Sequence, residues 1–210
     1  MNWRYILCLA CIVPFETGGL TPGWAASSQD VRWCHGEDNP TADQKIAGCS
    51  AIIKQESDKE AVAYAYNARG GQYYYKGLHK RAIRDYDQAI RLNRNFAHAI
   101  NNRCWARAVI GRLHDALKDC NRAIKLQPQV GNTYENRAMI YLKMGQLKSA
   151  IADYDAALKL DPDSADDLYG RGIAKLKSGD VAGGRADIEA GKAKKSWVVE
   201  EFIRYGIRAP

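Results

Sequence analysis

Four histidines, a handful of cysteines and a set of recurring arginines and aspartates are the residues of this chain whose types could support chemistry. Beyond residue 26 the cysteines are Cys34, Cys49, Cys104 and Cys120, while Cys8 and Cys11 lie near the start. Cys34, His35 and Cys49 offer three metal ligands, but no fourth stands at a useful spacing, and structural zinc takes four. A disulfide between Cys34 and Cys49 fits better. It would tie the N-terminal stretch to the helix that follows, and closing a loop of that size stabilises by roughly 3 kcal/mol. Cys104 and Cys120 are a second pair, read either as a bridge or as two buried thiols. His35, His79, His98 and His114 are scattered, with no carboxylate or cysteine partner at a catalytic spacing. No Ser/His/Asp order, glycine-rich phosphate loop or HExxH stretch is present. The residues therefore point away from an enzyme and call for no cofactor and no metal.

The elements that must position these groups come from a repeat. Arg69, Arg103, Arg137 and Arg171 stand at a constant interval of 34, as do Asp85, Asp119, Asp153 and Asp187. Gly77, Gly111, Gly145 and Gly179 share it, and so do Ala82, Ala116 and Ala150, with Gly184 in the fourth place. Ala89, Ala123 and Ala157 continue the pattern, with Gly191 after them. Self-similarity at this period marks a stacked array. Apolar positions over 64–76 have helical spacing, Gly77 interrupts them, and 79–92 resumes them, so each unit is two antiparallel helices joined by a glycine turn. In such a hairpin Arg69 approaches Asp85. Four repeated ion pairs, Arg69–Asp85, Arg103–Asp119, Arg137–Asp153 and Arg171–Asp187, are expected inside the array. The competing reading is an arginine ladder for nucleic acid. Pro128 and Pro162 end the second helix of units two and three, whereas Arg94 in unit one predicts a looser boundary.

These residues resemble the tetratricopeptide repeat family. The resemblance runs from Ala63 to about Ser196, and unit three carries the signature as Tyr134, Ala138, Tyr141, Gly145, Ala150, Tyr154, Ala157 and Pro162. It implies an all-α, right-handed α-solenoid of antiparallel helix pairs: repeats at 63–96, 97–130 and 131–164, and a degenerate fourth at 165–196. Gly183 and Gly184 weaken the last helix by roughly 1 kcal/mol each, which puts it in question. Residues 27–62 read as an N-terminal loop and capping helix, with capping boxes at Thr41/Gln44 and Ser57/Glu60. Residues 197–210 read as a C-terminal capping helix whose stripe of Trp197, Val198, Phe202 and Ile203 closes unit four. The family's concave face, carried over by register, takes Tyr64, Asn67, Tyr74 and Tyr75 from unit one and His98, Asn101 and Trp105 from unit two. Unit three gives Asn132, Glu135, Met139 and Lys143, and unit four Asp166, Tyr169 and Ile173. Amide and aromatic groups suit an extended peptide. Family members that grip the C-terminal carboxylate of heat-shock chaperones use lysines and an arginine there. This chain has Asn67, Asn102, Asn132 and Asn136, so that activity is not carried over.

The N-terminus reads as an address. Arg4 precedes an apolar run from Ile6 to Phe15, and small residues follow at Ala25 and Ala26. Ten apolar residues span only about 15 Å as a helix, half a bilayer core. Residues 1–26 are thus expected to be a signal peptide, leaving no transmembrane span and placing the chain in a bacterial periplasm or outside the cell. A quarter of the residues are charged and 46% are hydrophobic, which excludes wholesale disorder. The net charge of +7 concentrates in the first two repeats, which carry thirteen basic residues against four acidic ones. The reading is a non-catalytic adaptor that binds a protein or peptide segment, acidic segments included, in its groove within the cell envelope. An envelope assembly factor that holds client proteins is the alternative. Binding of anionic glycan or nucleic acid ranks last, and nucleic acid is not expected as a partner.

Overall fold

The computed structural model describes residues 26–210, so the signal-peptide reading falls, apart from Ala26, outside the described residues. Among those residues the chain forms eleven helices and no strand. α1 (Ser28–His35) pairs with α2 (Ala42–Gln55), an element the sequence presents as a loop before a single helix. Four antiparallel pairs follow: α3 (Lys59–Tyr75) with α4 (His79–Leu92), α5 (Ala97–Val109) with α6 (Leu113–Leu126), α7 (Gly131–Lys143) with α8 (Leu147–Leu160), and α9 (Ala165–Ser178) with α10 (Val181–Lys194). The short α11 (Val198–Arg204) ends the array. Each pair stacks on the next through α2 on α3, α4 on α5, α6 on α7 and α8 on α9, which makes the chain an α-solenoid.

The hairpin turns have one physical cause. Gly77, Gly111, Gly145 and Gly179 adopt φ of 73°, 81°, 73° and 97°, a left-handed conformation that costs only glycine nothing. The residue after each glycine donates its N–H to the carbonyl five residues back, as in Leu78 to Tyr73 at 2.8 Å and Gln146 to Tyr141 at 2.9 Å, closing a Schellman cap. Unit one ends as sharply as its neighbours. Without a proline, the Asn93 side chain accepts the N–H of Asn95 at 3.0 Å, and Asp161 accepts that of Asp163 at 3.2 Å in unit three. The cap of α3 is Asp58, which accepts from the N–H groups of Glu60 and Ala61, in place of the Ser57/Glu60 box that the sequence suggests.

Helix pairs close where a small residue on the first helix faces a large one sixteen places on. Gly70 faces Tyr86, Ala138 shares a buried cluster with Tyr154, and Gly172 faces Ile188. In the second pair both places are cysteines, and Cys104 and Cys120 are joined by a disulfide with Cα atoms 5.5 Å apart. A bridge thus replaces the small–large combination and preserves the spacing between helices. Cys34 and Cys49 are likewise joined, Cα to Cα 4.6 Å, stapling α1 to α2. The last pair packs most closely. A Cβ on Gly184 would come 2.9 Å from the Gly172 carbonyl oxygen, and one on Gly191 would come 2.8 Å from that of Ala165. The glycines that weaken α10 by propensity let it approach α9 more nearly than alanine permits, and the helix forms over fourteen residues.

The arginines bind the array together. All four grip the expected aspartate with two hydrogen bonds, for example Arg137 Nε and Nη2 to Asp153 at 2.6 and 2.7 Å. Each also sends its remaining nitrogen to the preceding pair. Arg103 reaches Asp87 at 2.7 Å, Arg137 reaches Asn121 at 2.6 Å, Arg171 reaches Asp155 at 2.8 Å, and Arg69 reaches Ser50 at 2.9 Å. Asp87, Asn121 and Asp155 lie on the same interval of 34, a signal that the sequence carried and that a search confined to one repeat passes over.

Two expectations follow. Arg137→Ala strands Asp153, which is buried, so urea denaturation should give a loss of about 3 kcal/mol or more. Replacing Arg137 and Asp153 together by leucine should recover most of it. Tyr154 is fully buried, and its hydroxyl meets no hydrogen-bond partner among the described residues. Tyr154→Phe should therefore leave stability unchanged or raise it by about 1 kcal/mol, again read by urea denaturation.

Candidate functional site

The first helices α3, α5, α7 and α9 face a common concavity, and the residues that recur at one face of each line its floor. Two cavities occupy it. One, of about 520 Å³, is bounded by Lys45, Tyr64, Asn67, Tyr74, Tyr75 and Trp105, with Glu201 of α11 and Tyr205 just after it closing one side. The other, of about 260 Å³, lies among Asn101, Asn132, Glu135, Asn136, Asp166 and the same Glu201 and Tyr205.

The asparagines that stand where family members carry cations bond to one another. Asn102 Nδ2 donates to Asn67 at 3.0 Å, Asn136 Nδ2 to Asn101 at 3.1 Å, and Asn101 Nδ2 to Asn132 at 3.4 Å. Each amide bridges consecutive repeats, and each is left with donors or acceptors directed at the cavity. Trp105 donates its indole N–H to the Tyr74 hydroxyl at 2.6 Å, fixing both rings, and Tyr205 meets the Trp105 ring edge-on at 4.9 Å. Burial raises the Tyr74 and Tyr205 hydroxyls, the latter to about 12, so both stay protonated as donors. Tyr64 and Tyr75 remain open, at 42% and 81% exposure.

The other expected groove residues separate. His98 stands outside both cavities, beside Phe96 and Asn95 at the rim. Met139 is buried within the cluster that holds Phe202 and still borders the second cavity, whereas Tyr169 and Ile173 are buried in that cluster and line neither cavity. Lys143 borders neither cavity, and partial desolvation lowers its pKa. The cause is α11. Val198 and Phe202 are buried as expected, together with Ile207, but Trp197 and Ile203 point to solvent, at 60% and 43% exposure. The helix lies over the C-terminal part of the concave face. Its Phe202 meets Tyr169 at 5.0 Å.

Carboxyl groups crowd this end. Burial raises Glu135 to about 8, with the charges of Asp167 and Asp166 adding to the effect. Burial likewise raises Asp167 to about 6 against the opposing Ser164 hydrogen bond. Lys195 bridges Asp166 at 2.9 Å and Glu201 at 2.5 Å, tying α11 to α9. The basic excess lies elsewhere. Lys80, Arg81, Arg84 and Arg91 on α4 and Lys118 and Lys125 on α6 are exposed. The aspartates of those two helices, Asp85, Asp87, Asp115 and Asp119, are all held by arginines. Apart from Tyr86, neither helix lines the two cavities.

A tetratricopeptide repeat model matches residues 63–96, and a second TPR repeat model matches 139–179. The chain carries tetratricopeptide repeats. Solved TPR structures share its fold. YrrB, described as a TPR protein with an unusual peptide-binding site, is 18% identical, with a TM-score of 0.61 over 74% of this chain and 78% of its own. MamA from Desulfovibrio magneticus RS-1 is 16% identical, with a TM-score of 0.61 over 84% and 96%. The first TPR of Spaghetti (RPAP3), bound to the HSP90 peptide SRMEEVD, is 22% identical, with a TM-score of 0.54 over 59% and 95%. No curated protein matches the chain. TPR proteins are typically non-catalytic interaction modules. Among the described residues no group of three or more His, Cys, Asp or Glu could hold a metal ion, and no helix is long and apolar enough to cross a membrane.

The raised carboxyls give this TPR array a pH dependence with a definite sign. Glu135 and Asp167 hold protons more tightly folded than at their ordinary values of 4.5 and 3.8. The stability they contribute is complete below about pH 4 and declines as pH rises through about 6 and then about 8. Glu135→Gln should accordingly raise the thermal midpoint at pH 9 and leave it nearly unchanged at pH 4, followed by circular dichroism.

Proposed function

We propose that this TPR protein is a non-catalytic adaptor that binds a peptide or protein segment along the concave face, chiefly over repeats one and two. The observation that carries this reading is the cavity between Tyr64, Tyr75, Asn67 and Trp105. Its aromatic rings stand open, while the amides beneath are pre-set by bonds to each other. Rigid tyrosines give contact area at low entropic cost, and fixed amides meet a peptide backbone without reorganisation. The peptide-binding descriptions of YrrB and of the Spaghetti TPR are consistent with this use of the fold. The Spaghetti peptide ends in acidic residues, but this groove holds Asn67, Asn102 and Asn136 with the Glu135 cluster beside them. A segment that is neutral or basic where it passes repeat three suits it better than an acidic tail.

We place the adaptor in the cell envelope. Two disulfides are compatible with an oxidising compartment, and the basic face of α4 and α6 stays free for anionic surroundings while the groove is occupied.

A photo-crosslinking residue at Tyr75 or Tyr64 should capture one stoichiometric partner in cells, and the same residue at Lys118 on the outer face should not. Equal capture from all three positions would remove the groove from the proposal. Many partners captured from the groove positions would favour a holder of client proteins.

A further inference from the structure

We infer that α11 and the residues after it act as an internal ligand of the groove, and that the C-terminal half of the concave face is a second recognition surface. It is built for a short helical segment that presents an acid and an aromatic side by side and another aromatic three residues later. The inference rests on the adaptor reading, since it concerns the same concave face.

The geometry distinguishes a ligand from a cap. A helix that only closes the array has to cover α9 and α10. α11 does bury Val198 and Phe202 against that end, but it runs on across the concavity. Tyr205 reaches the ring of Trp105 on α5, two repeats back, and Glu201 borders both cavities beside Asn102. The side chains that α11 covers, Met139, Tyr169 and Ile173, stand at the family's ligand-facing register and not at its packing register. The occupant of those places is therefore visible in the structure. Its chemistry is that of Glu201–Phe202 with Tyr205 beyond: a carboxylate for Lys195, a ring for the Tyr169 site and a ring for Trp105.

The attachment is suited to release. α11 has seven residues, and its N-cap Trp197 makes no side-chain cap hydrogen bond. A helix that short has little stability apart from its docking. Among the described residues its one ion pair to the rest of the array is Lys195–Glu201, and the far anchor is the single Tyr205–Trp105 contact. An external segment of the same pattern meets an already formed site and competes with a tethered copy, whose high effective concentration sets the threshold. Displacement would widen the passage between the two cavities, because Glu201 and Tyr205, together with Asn102 and Trp105, border both.

The test uses the full chain and a fluorescent peptide of residues 197–210. Tyr205→Ala removes the far anchor and keeps Val198, Phe202 and Ile207 for the core. The peptide should bind Tyr205→Ala at least about tenfold more tightly than wild type, since the competitor is weakened. Excess peptide should raise amide exchange of 198–207 in the wild-type chain and leave 165–178 protected. Glu201→Gln, which loses the Lys195 bridge instead, should shift affinity the same way and stands in if Tyr205→Ala fails to fold. Equal affinity for wild type and variants, or exchange of 198–207 unchanged by the peptide, would make α11 a fixed cap and overturn the inference. Crosslinking from Tyr75 could still succeed in that case, so the two readings fail separately.

Discussion

The structure depends on one guanidinium placed at the same point of every first helix. A planar fork with several N–H groups can satisfy a carboxylate with two parallel bonds and still have one nitrogen left. Arg69, Arg103, Arg137 and Arg171 use the first two on the aspartate of their own hairpin and the last on a side chain of the pair before. The same residue thus fixes both the closure of a helix pair and the register between pairs. Lysine, a point charge without a fork, could not do both. Such partly buried charges cost desolvation, and the network is tolerable only because every carboxylate in it is held. Once the inter-pair register is set, the first helices are aligned, and the shape of the concave face follows.

That alignment determines what the floor of the groove can offer. Amides 31 and 35 residues apart come within hydrogen-bond reach, so Asn102 is joined to Asn67, and Asn101 to both Asn132 and Asn136. Linked amides are oriented before any partner arrives. The Trp105–Tyr74 bond does the same for two of the rings. What remains free to bind is concentrated in repeats one and two, while repeats three and four are covered by α11 and bordered by carboxyl groups. The concave face of four repeats is therefore two unequal compartments with a removable partition.

Much of this was readable residue by residue. The glycine turns, the Arg–Asp partners and the Cys104–Cys120 juxtaposition follow from hairpin arithmetic, because two antiparallel helices joined at a fixed turn bring places of constant sum together. The cross-repeat partners of the arginines also lay on the repeat interval, although only the stacking of pairs shows that an interval of 16 reaches two different neighbours. Other features were not readable. α1 is eight residues long, too short to show a period, although Ser27 caps it through Asp30, Gly36 ends it and the Cys34–Cys49 link joins it to α2. The glycines of α10 weaken a helix when counted one at a time. Their advantage appears only when the backbone of α9 lies against them.

By itself, the sequence determined an all-α array of repeated hairpins and its ion pairs, because these depend on relations within one or two helical turns or across one fixed glycine turn. Only the tertiary structure decided where the chain goes once the repeats end. The apolar stripe of 198–207 is equally compatible with capping the last pair and with lying across the groove, since both bury Val198 and Phe202. The choice rests on a contact between Tyr205 and Trp105, a hundred residues apart, and on the space that four registered helices leave between them. No local pattern encodes that space.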